Sequence, residues 1–289
     1  QTYANLEIIV SDNRSTDDTP DFMARQTDSR IRYYRQEKPI TPNDNFNFCL
    51  AQARGEYFLL LLDDELIDAQ FVAACMAALG ERDDVGLIRT GLRTIDMNGN
   101  VLSEVRNSAT ALSLPDFFLA WFAGRTSLYL CNTLFKTTLL RAVGGLRSRH
   151  NLFQDVLAQV RVAAVSSRID VENVLASTRS HPGQHTYSAR VMEWAEDSLE
   201  LLAAMENVAG EKQSVIRARG ERFFAAICYS RASAIRRPLA RLAAYRSIYV
   251  YFNRRCMPPA RTVLASTSLY RQLRNIKRWL KGQPRWAAA

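Results

Sequence analysis

The first ninety residues alternate short apolar runs with turn clusters and helix signals. Leu6-Glu7-Ile8-Ile9-Val10 is a β-branched run ending at Ser11-Asp12-Asn13, and predicts a strand closed by a turn. Ser15-Thr16-Asp17-Asp18-Thr19-Pro20 places capping hydroxyls and carboxylates ahead of Phe22 and Met23, the signature of a helix start. Ile31 to Arg35 predicts a second strand. Asn43 to Arg54 predicts a helix with Phe46, Cys49, Leu50 and Ala53 on one face, closed by Gly55. Tyr57 to Leu62 is apolar throughout, as expected of a strand at the centre of a parallel sheet. Asp68 to Leu79 reads as a helix and Val85 to Thr90 as a strand. Such alternation implies a doubly wound α/β layer.

Beyond Val191 the pattern turns helical. Trp194 to Met205, Phe223 to Ile235 and Pro238 to Tyr251 carry apolar residues at helical spacing. Arg271 to Lys281 sets Leu273, Ile276 and Leu280 against Arg274, Lys277, Arg278 and Lys281, a basic amphipathic helix with Trp279 and Trp286 near it. The chain therefore divides into an α/β part, residues 1–190, and a helical, basic part, residues 191–289. There are no internal repeats and no low-complexity segment.

Composition supports a folded chain: 47% of the 289 residues are hydrophobic and 23% charged, enough for a sizeable core. No run approaches the roughly 18 to 20 apolar residues that a membrane-spanning helix needs. The five cysteines are scattered without a CxxC pair, which predicts buried reduced thiols rather than a disulfide framework or a zinc site. The chain opens without an initiator Met and enters a strand-like run at once, so a further segment is expected upstream. The net charge of +9 hides an asymmetry. From Lys212 to the end there are 18 Lys and Arg against one acid, Glu221, whereas residues 1–211 hold 20 basic and 28 acidic residues. A basic tail suits anionic lipid, a phosphate-rich substrate or nucleic acid. Its basic residues are interleaved with apolar helix faces and show no RNP-like, KH or zinc-finger pattern, so nucleic acid is not the expected partner.

The most informative stretch is Leu59-Leu60-Leu61-Leu62-Asp63-Asp64-Glu65. Acids directly after a buried strand sit at the carboxyl edge of the sheet, where open α/β folds bind ligands. Adjacent carboxylates repel, and a hard cation such as Mg²⁺ or Mn²⁺ relieves that repulsion. A solvated turn whose acid caps the next helix accounts for the same residues.

Several stretches, in order, resemble family 2 glycosyltransferases of the GT-A fold, which transfer sugar from a nucleotide-sugar donor with inversion at the anomeric carbon. Gln1 to Thr19 resembles the family's QTYxNxEIIVxDxxSTDxT signature, and Asn45, Phe46, Ala51, Gly55, Glu56 and Tyr57 its approach to the metal motif. Asp63-Asp64-Glu65 falls where the family has its DxD-type acids. Gly144-Gly145-Leu146 followed by Gln154-Asp155 resembles the elements carrying the catalytic base, and His181-Pro182-Gly183-Gln184 the late histidine near the metal. The family's opening strand is missing, Ser11 stands where many members have an Asp, Glu65 replaces the usual third acid, and Gln154 the usual Glu.

The resemblance implies an α/β, Rossmann-like, mostly parallel sheet flanked by helices, with a helical basic region after it. It implies Asp64 as principal ligand of Mg²⁺ or Mn²⁺, with Asp63 on ribose or metal and Glu65 and His181 assisting. Asp155 would take the proton of the acceptor hydroxyl, and Asp12, with Ser11 and Asn13, would orient the base and ribose of the donor. The donor is a nucleotide-diphospho-sugar, and the acceptor a saccharide or lipid-linked saccharide in surface polysaccharide or glycan assembly. Such enzymes work in the cytoplasm, often peripherally at the inner face of the membrane, and the basic helices after Val215 suit an anionic membrane surface. The alternative is a catalytically inactive relative, or a nucleic-acid- or anionic-surface-binding protein that uses the basic C-terminal helices. A nucleotidyltransferase would want a Gly-rich phosphate loop, which is absent. His150 has no assigned role and His185 is expected in solvent. Arg89, Arg93 and Lys136 are expected near the cleft or in solvent, and Trp121 and Phe122 as an acceptor platform or, better, as core.

Overall fold

The structure is a computed structural model and describes residues 1–180 and 189–258. In chain order its elements are β1 (Ile8–Asp12), α1 (Thr19–Ala24), β2 (Ile31–Arg35), α2 (Pro42–Gln52), β3 (Tyr57–Phe58), β4 (Leu66–Ile67), α3 (Phe71–Leu79), β5 (Val85–Ile95) and β6 (Val101–Val105). There follow α4 (Leu114–Phe122), β7 (Thr133–Lys136), α5 (Thr137–Ala142), α6 (Gln154–Ala163), β8 (Ser167–Arg179), α7 (Val191–Asn207), α8 (Gln213–Ala232) and α9 (Pro238–Tyr251). The α/β layer and the helical run after Val191 are both present. Local chemistry fixes several starts: Thr41 Oγ1 accepts the Asp44 amide, and Pro42 occupies the first turn of α2. The predicted helix at 271–281 lies outside the described residues.

The sheet is mixed, not mostly parallel, and comes in two pieces. β1 and β2 pair in parallel, with Ile8 opposite Ile31 and Asp12 opposite Arg35. The second piece has the order β3-β7-β5-β8-β4, with β6 on β5. Only β5 and β8 run parallel there; β7 runs against both β3 and β5, and β6 returns on β5 through a short turn that permits only antiparallel pairing.

Tyr57 to Leu62 is not a central parallel strand. Only Tyr57 and Phe58 pair, antiparallel to β7 and at the end of the sheet. Residues 59–62 pair with no strand among the described residues. Ile9 of β1 packs in the same apolar cluster as Phe58, Leu60 and Leu62, over Phe46, Cys49 and Leu50 of α2. Ile8 and Leu61 nevertheless stay 38% and 42% exposed. An all-apolar run encodes burial on two faces, but a central position needs a strand on each side, and this run has one neighbour for two residues.

The remaining core joins the helical part to the α/β part. Phe117 and Phe118 of α4 and Val156, Leu157 and Val160 of α6 pack with Trp194, Leu202, Phe224, Tyr229 and Phe252 in one cluster. A Cβ on Gly220 would lie 2.4 Å from Leu202 Cδ1, so glycine permits the close approach of α7 and α8. Trp121 and Phe122 stack on Phe223 and Phe224 and belong to this packing. Arg89 is neither in the cleft nor in solvent. It is fully buried, 3.0 Å from Asp170, with its guanidinium over the Phe117 ring. Arg93 is held by Asp68 and Glu104, and Lys136 by the Asp83 carbonyl and Glu56. These cations serve the fold.

Candidate functional site

The end of β1 is tied down by its own neighbours. Ser11 Oγ donates to Asn45 Oδ1 at 2.6 Å, and Asn45 Nδ2 returns a bond to the Ser11 carbonyl, fastening β1 to α2. Asn13 bonds the backbone of Ile40 in both directions, which fixes the 36–40 loop. The Asp12 carboxylate is buried and accepts the Ser15 amide at 2.6 Å and Tyr33 Oη at 2.6 Å, with Arg35 Nε 3.4 Å away. Burial pushes this carboxyl up, but the Tyr33 and Ser15 bonds and the Arg35 charge outweigh it and hold it below the usual range. Asp12 is thus ionised and fixed at a strand end, with Tyr33 and Arg35 beside it. Sequence reading missed those two partners. The signal was available: two parallel strands of equal length end in Asp12 and Arg35.

The three consecutive acids part company. Asp63 is exposed and Asp64 half-buried, whereas Glu65 turns into the interior. Glu65 accepts the Leu62 amide at 3.2 Å and side-chain bonds from Cys131 and Thr178. Burial pushes its carboxyl up to about 7, against the lowering effect of those donors. Glu65 therefore braces the acidic turn from within and does not stand with Asp63 and Asp64. Arg179, at the end of β8, donates to the carbonyls of Asp64 and Asp96 and so ties this turn to the β5–β6 hairpin. Sequence reading gave Arg179, Cys131 and Thr178 no role, and nothing local marks them.

Asp155 occupies the first turn of α6, after the buried Phe153. Two glycines with left-handed backbones, Gly144 (φ 93°) and Gly145 (φ 72°), end α5 and turn the chain toward α6. Asn47 and Asn43 of α2 hold the following Leu146 by its backbone. Burial raises the Asp155 carboxyl to about 6, while the amides at the start of α6 pull the other way. Its charge is felt at Tyr129 and at Cys131, as is that of Glu65. Asp155 and Glu65 therefore act on one segment, residues 129–131. Gln154 Oε1 is buried without a hydrogen-bond partner.

The structure thus brings Asp155 and Glu65 to bear on residues 129–131, and places Ser11, Asp12 and Asn13 together at the end of β1. His181 and His185 lie outside the described residues. No group of three or more His, Cys, Asp or Glu side chains converges among the described residues. Two adjacent carboxylates, the exposed Asp63 and the half-buried Asp64, nonetheless fit the donor set of Mg²⁺ or Mn²⁺, which is completed by water and phosphate oxygens rather than by a full protein cage. A cavity of about 380 Å³ lies elsewhere, lined by Gln213, Arg217, Glu221, Arg222, Arg255 and Cys256, and none of the candidate residues borders it.

Comparison with known proteins follows this geometry. Residues 1–129 match the family described as glycosyl transferase family 2. Over 148 residues the chain is 31% identical to the GalNAc(5)-diNAcBac-PP-undecaprenol beta-1,3-glucosyltransferase of Campylobacter jejuni, covering 48% of this chain and 45% of that protein. Over 87 residues it is 30% identical to glycosyltransferase GlyG of Streptococcus pneumoniae, covering 29% of this chain and 28% of that protein. The chain thus spans less than half the length of these relatives. Among solved structures, S. aureus TarS 1-349 aligns with a TM-score of 0.61 at 16% identity, over 96% of this chain and 83% of that one. Mannosyltransferase PcManGT from Pyrobaculum calidifontis, in complex with GDP-Man and Mn²⁺, aligns with a TM-score of 0.52 at 17% identity, over 95% and 75%. At these identities the structures establish a shared fold.

Proposed function

We propose that this chain, whose residues 1–129 match glycosyl transferase family 2 and whose fold is shared with a solved mannosyltransferase, transfers a hexosyl or related sugar from a nucleotide-diphospho-sugar to an acceptor hydroxyl. The transfer inverts the anomeric carbon, and the acceptor is a saccharide or lipid-linked saccharide in surface polysaccharide or glycan assembly. The printed name of the Campylobacter relative, with its undecaprenol-linked sugars, supports that acceptor class. The observation that carries the reading is Asp155, a carboxyl raised to about 6 that acts on residues 129–131 together with Glu65, the inward acid of the Asp63-Asp64-Glu65 turn.

Asp155 takes the proton of the attacking hydroxyl, a role suited to a carboxyl whose affinity for protons is raised toward the working pH. Asp12, fixed by Tyr33 and Ser15, orients the base and ribose of the donor, and Asn13 and Ser11 hold the loops around it. Asp64 and Asp63 hold Mg²⁺ or Mn²⁺, which supplies positive charge to the diphosphate leaving group when bound. Glu65 keeps those two carboxylates in place from behind. The Mn²⁺ complex of a structural neighbour supports a divalent cation. We place the reaction in the cytoplasm at the inner membrane face; five free thiols suit a reducing compartment.

Thermal melting with a panel of nucleoside diphosphates, with and without Mn²⁺, tests the reading. One nucleotide is expected to raise the melting temperature only with the metal, and Asp64→Ala to abolish that rise. Stabilisation by no nucleotide, or an unchanged rise in Asp64→Ala, overturns the assignment.

A further inference from the structure

Helix α9 is apolar on two sides and, among the described residues, has a neighbour on only one. Ile248 and Phe252, with Tyr245, pack it onto α8 and the rest of the cap. On the opposite side Leu239, Leu242 and Val250 are 83%, 65% and 49% exposed, with Ala243 and Arg246 exposed among them. Helical geometry puts these five residues on one stripe along the helix. A helix of a water-soluble domain turns such a stripe inward.

The surroundings of the stripe are cationic. Arg236 and Arg237 are exposed just before α9, Arg254 and Arg255 just after it, and Arg246 lies within the stripe. From Lys212 to Pro258 there are eleven basic residues and one acid, Glu221, which is buried. On α7, Glu196 accepts bonds from Tyr251 and His150, on the side of α9 away from the stripe. An apolar stripe rimmed by arginines matches a surface that is apolar below and anionic at its boundary. A second copy of the chain would set the same arginines against one another, which counts against self-association.

We propose that the outer face of α9 is the surface by which the chain lies on an anionic lipid bilayer. Leu239, Leu242 and Val250 enter the boundary between headgroups and acyl chains, while Arg236, Arg237 and Arg246 meet lipid phosphates. This rests on the reading that the acceptor is carried by lipid, and gives the enzyme an orientation on its substrate surface.

Flotation of the full chain with vesicles of phosphatidylcholine, with and without phosphatidylglycerol, tests the inference. The wild-type chain is expected to float with the anionic vesicles only. Leu239→Asp with Leu242→Asp should reduce the bound fraction about ten-fold or more, since both leucines leave the boundary. Arg236→Ser with Arg237→Ser should reduce it several-fold at low salt and less at high salt. Both variants change exposed side chains and should melt as the wild-type chain does, with the nucleotide-dependent shift intact. Equal flotation of the leucine variant and wild type overturns the proposal, as does flotation with neutral vesicles alone. So does a dimer in sedimentation that Leu239→Asp dissociates. Asp64→Ala should float normally. Loss of nucleotide stabilisation in every protein, with flotation behaving as stated, would remove the transferase reading and leave the docking face standing.

Discussion

The β1–β2 side of the molecule and the helical cap are held by different forces. No residue of β2 is fully buried, and β1 buries only Asp12. Cohesion there comes from polar ties: Glu7 to Arg32 and to the amides of Arg54 and Gly55, Asp12 to Tyr33 and Ser15, and Asn13 to Ile40. Around α6, α7 and α8 the balance reverses, with Phe153, Trp194 and Phe224 ring against ring inside an apolar cluster. On the proposed function, the polar side is where the donor is oriented. The apolar side carries Asp155, whose burial is the source of its raised proton affinity. Positional precision and stability are thus divided between two regions of one chain.

The largest effect expected from this contrast is in the cap. Phe224→Ala should cost about 3–5 kcal/mol in urea unfolding, because a fully buried ring leaves a cavity. A loss under about 1 kcal/mol would mean that the cap is not where stability resides.

Asp155→Asn should lower kcat by about 10²–10⁴-fold while donor binding by thermal shift is unchanged. Its pH dependence has a definite sign. The folded carboxyl titrates at about 6 against an ordinary 3.8, so the native state retains this proton longer than the unfolded one. Asp155 therefore favours folding least above about pH 6, its contribution falling as pH rises from about 4 to 6. The wild-type rate should rise through about pH 6 as the base ionises, and stability should flatten over that window in Asp155→Asn. A rate profile without an inflection there would separate Asp155 from the proton transfer.

Glu65→Gln should raise the melting temperature at pH 8 by about 2–4 °C and leave it unchanged at pH 5, because the buried carboxyl titrates at about 7. Equal shifts at both pH values would show that Glu65 is not the buried acid described. On the polar side, Asp12→Asn should weaken nucleotide-dependent stabilisation with little change in unfolding free energy. The smallest effect is kinetic. Amides of residues 59–62 should exchange with solvent much faster than those of β5, having no strand partner among the described residues.

Much of this was legible along the chain. The strand at Ile31–Arg35 and the helix at Pro238–Tyr251 begin and end where turn and proline signals place them. The acids after Leu62 stand out because they follow an apolar run, and Gln154-Asp155 stands out because it resembles the family's base-bearing element. Pairing was not legible. Tyr57 to Leu62 has the composition of a central strand, yet a strand's place depends on which segments reach it, and sequence distance does not record that. Glu65 shows the same limit at a single residue, since nothing in Asp63-Asp64-Glu65 tells which of three carboxylates turns inward.

Sequence alone determined the alternation of elements, the excess of basic residues after Lys212 and the identity of the acids available for chemistry, because these depend on residue type and spacing. Tertiary structure alone decided that the sheet is mixed and divided, that Arg89 is interior, and that Glu65 is buried while Asp63 is exposed and Asp64 half-buried. It also decided that, among the described residues, the leucines of α9 stay exposed. Each of these depends on what lies opposite a side chain, and that is set by contacts between residues far apart in the chain.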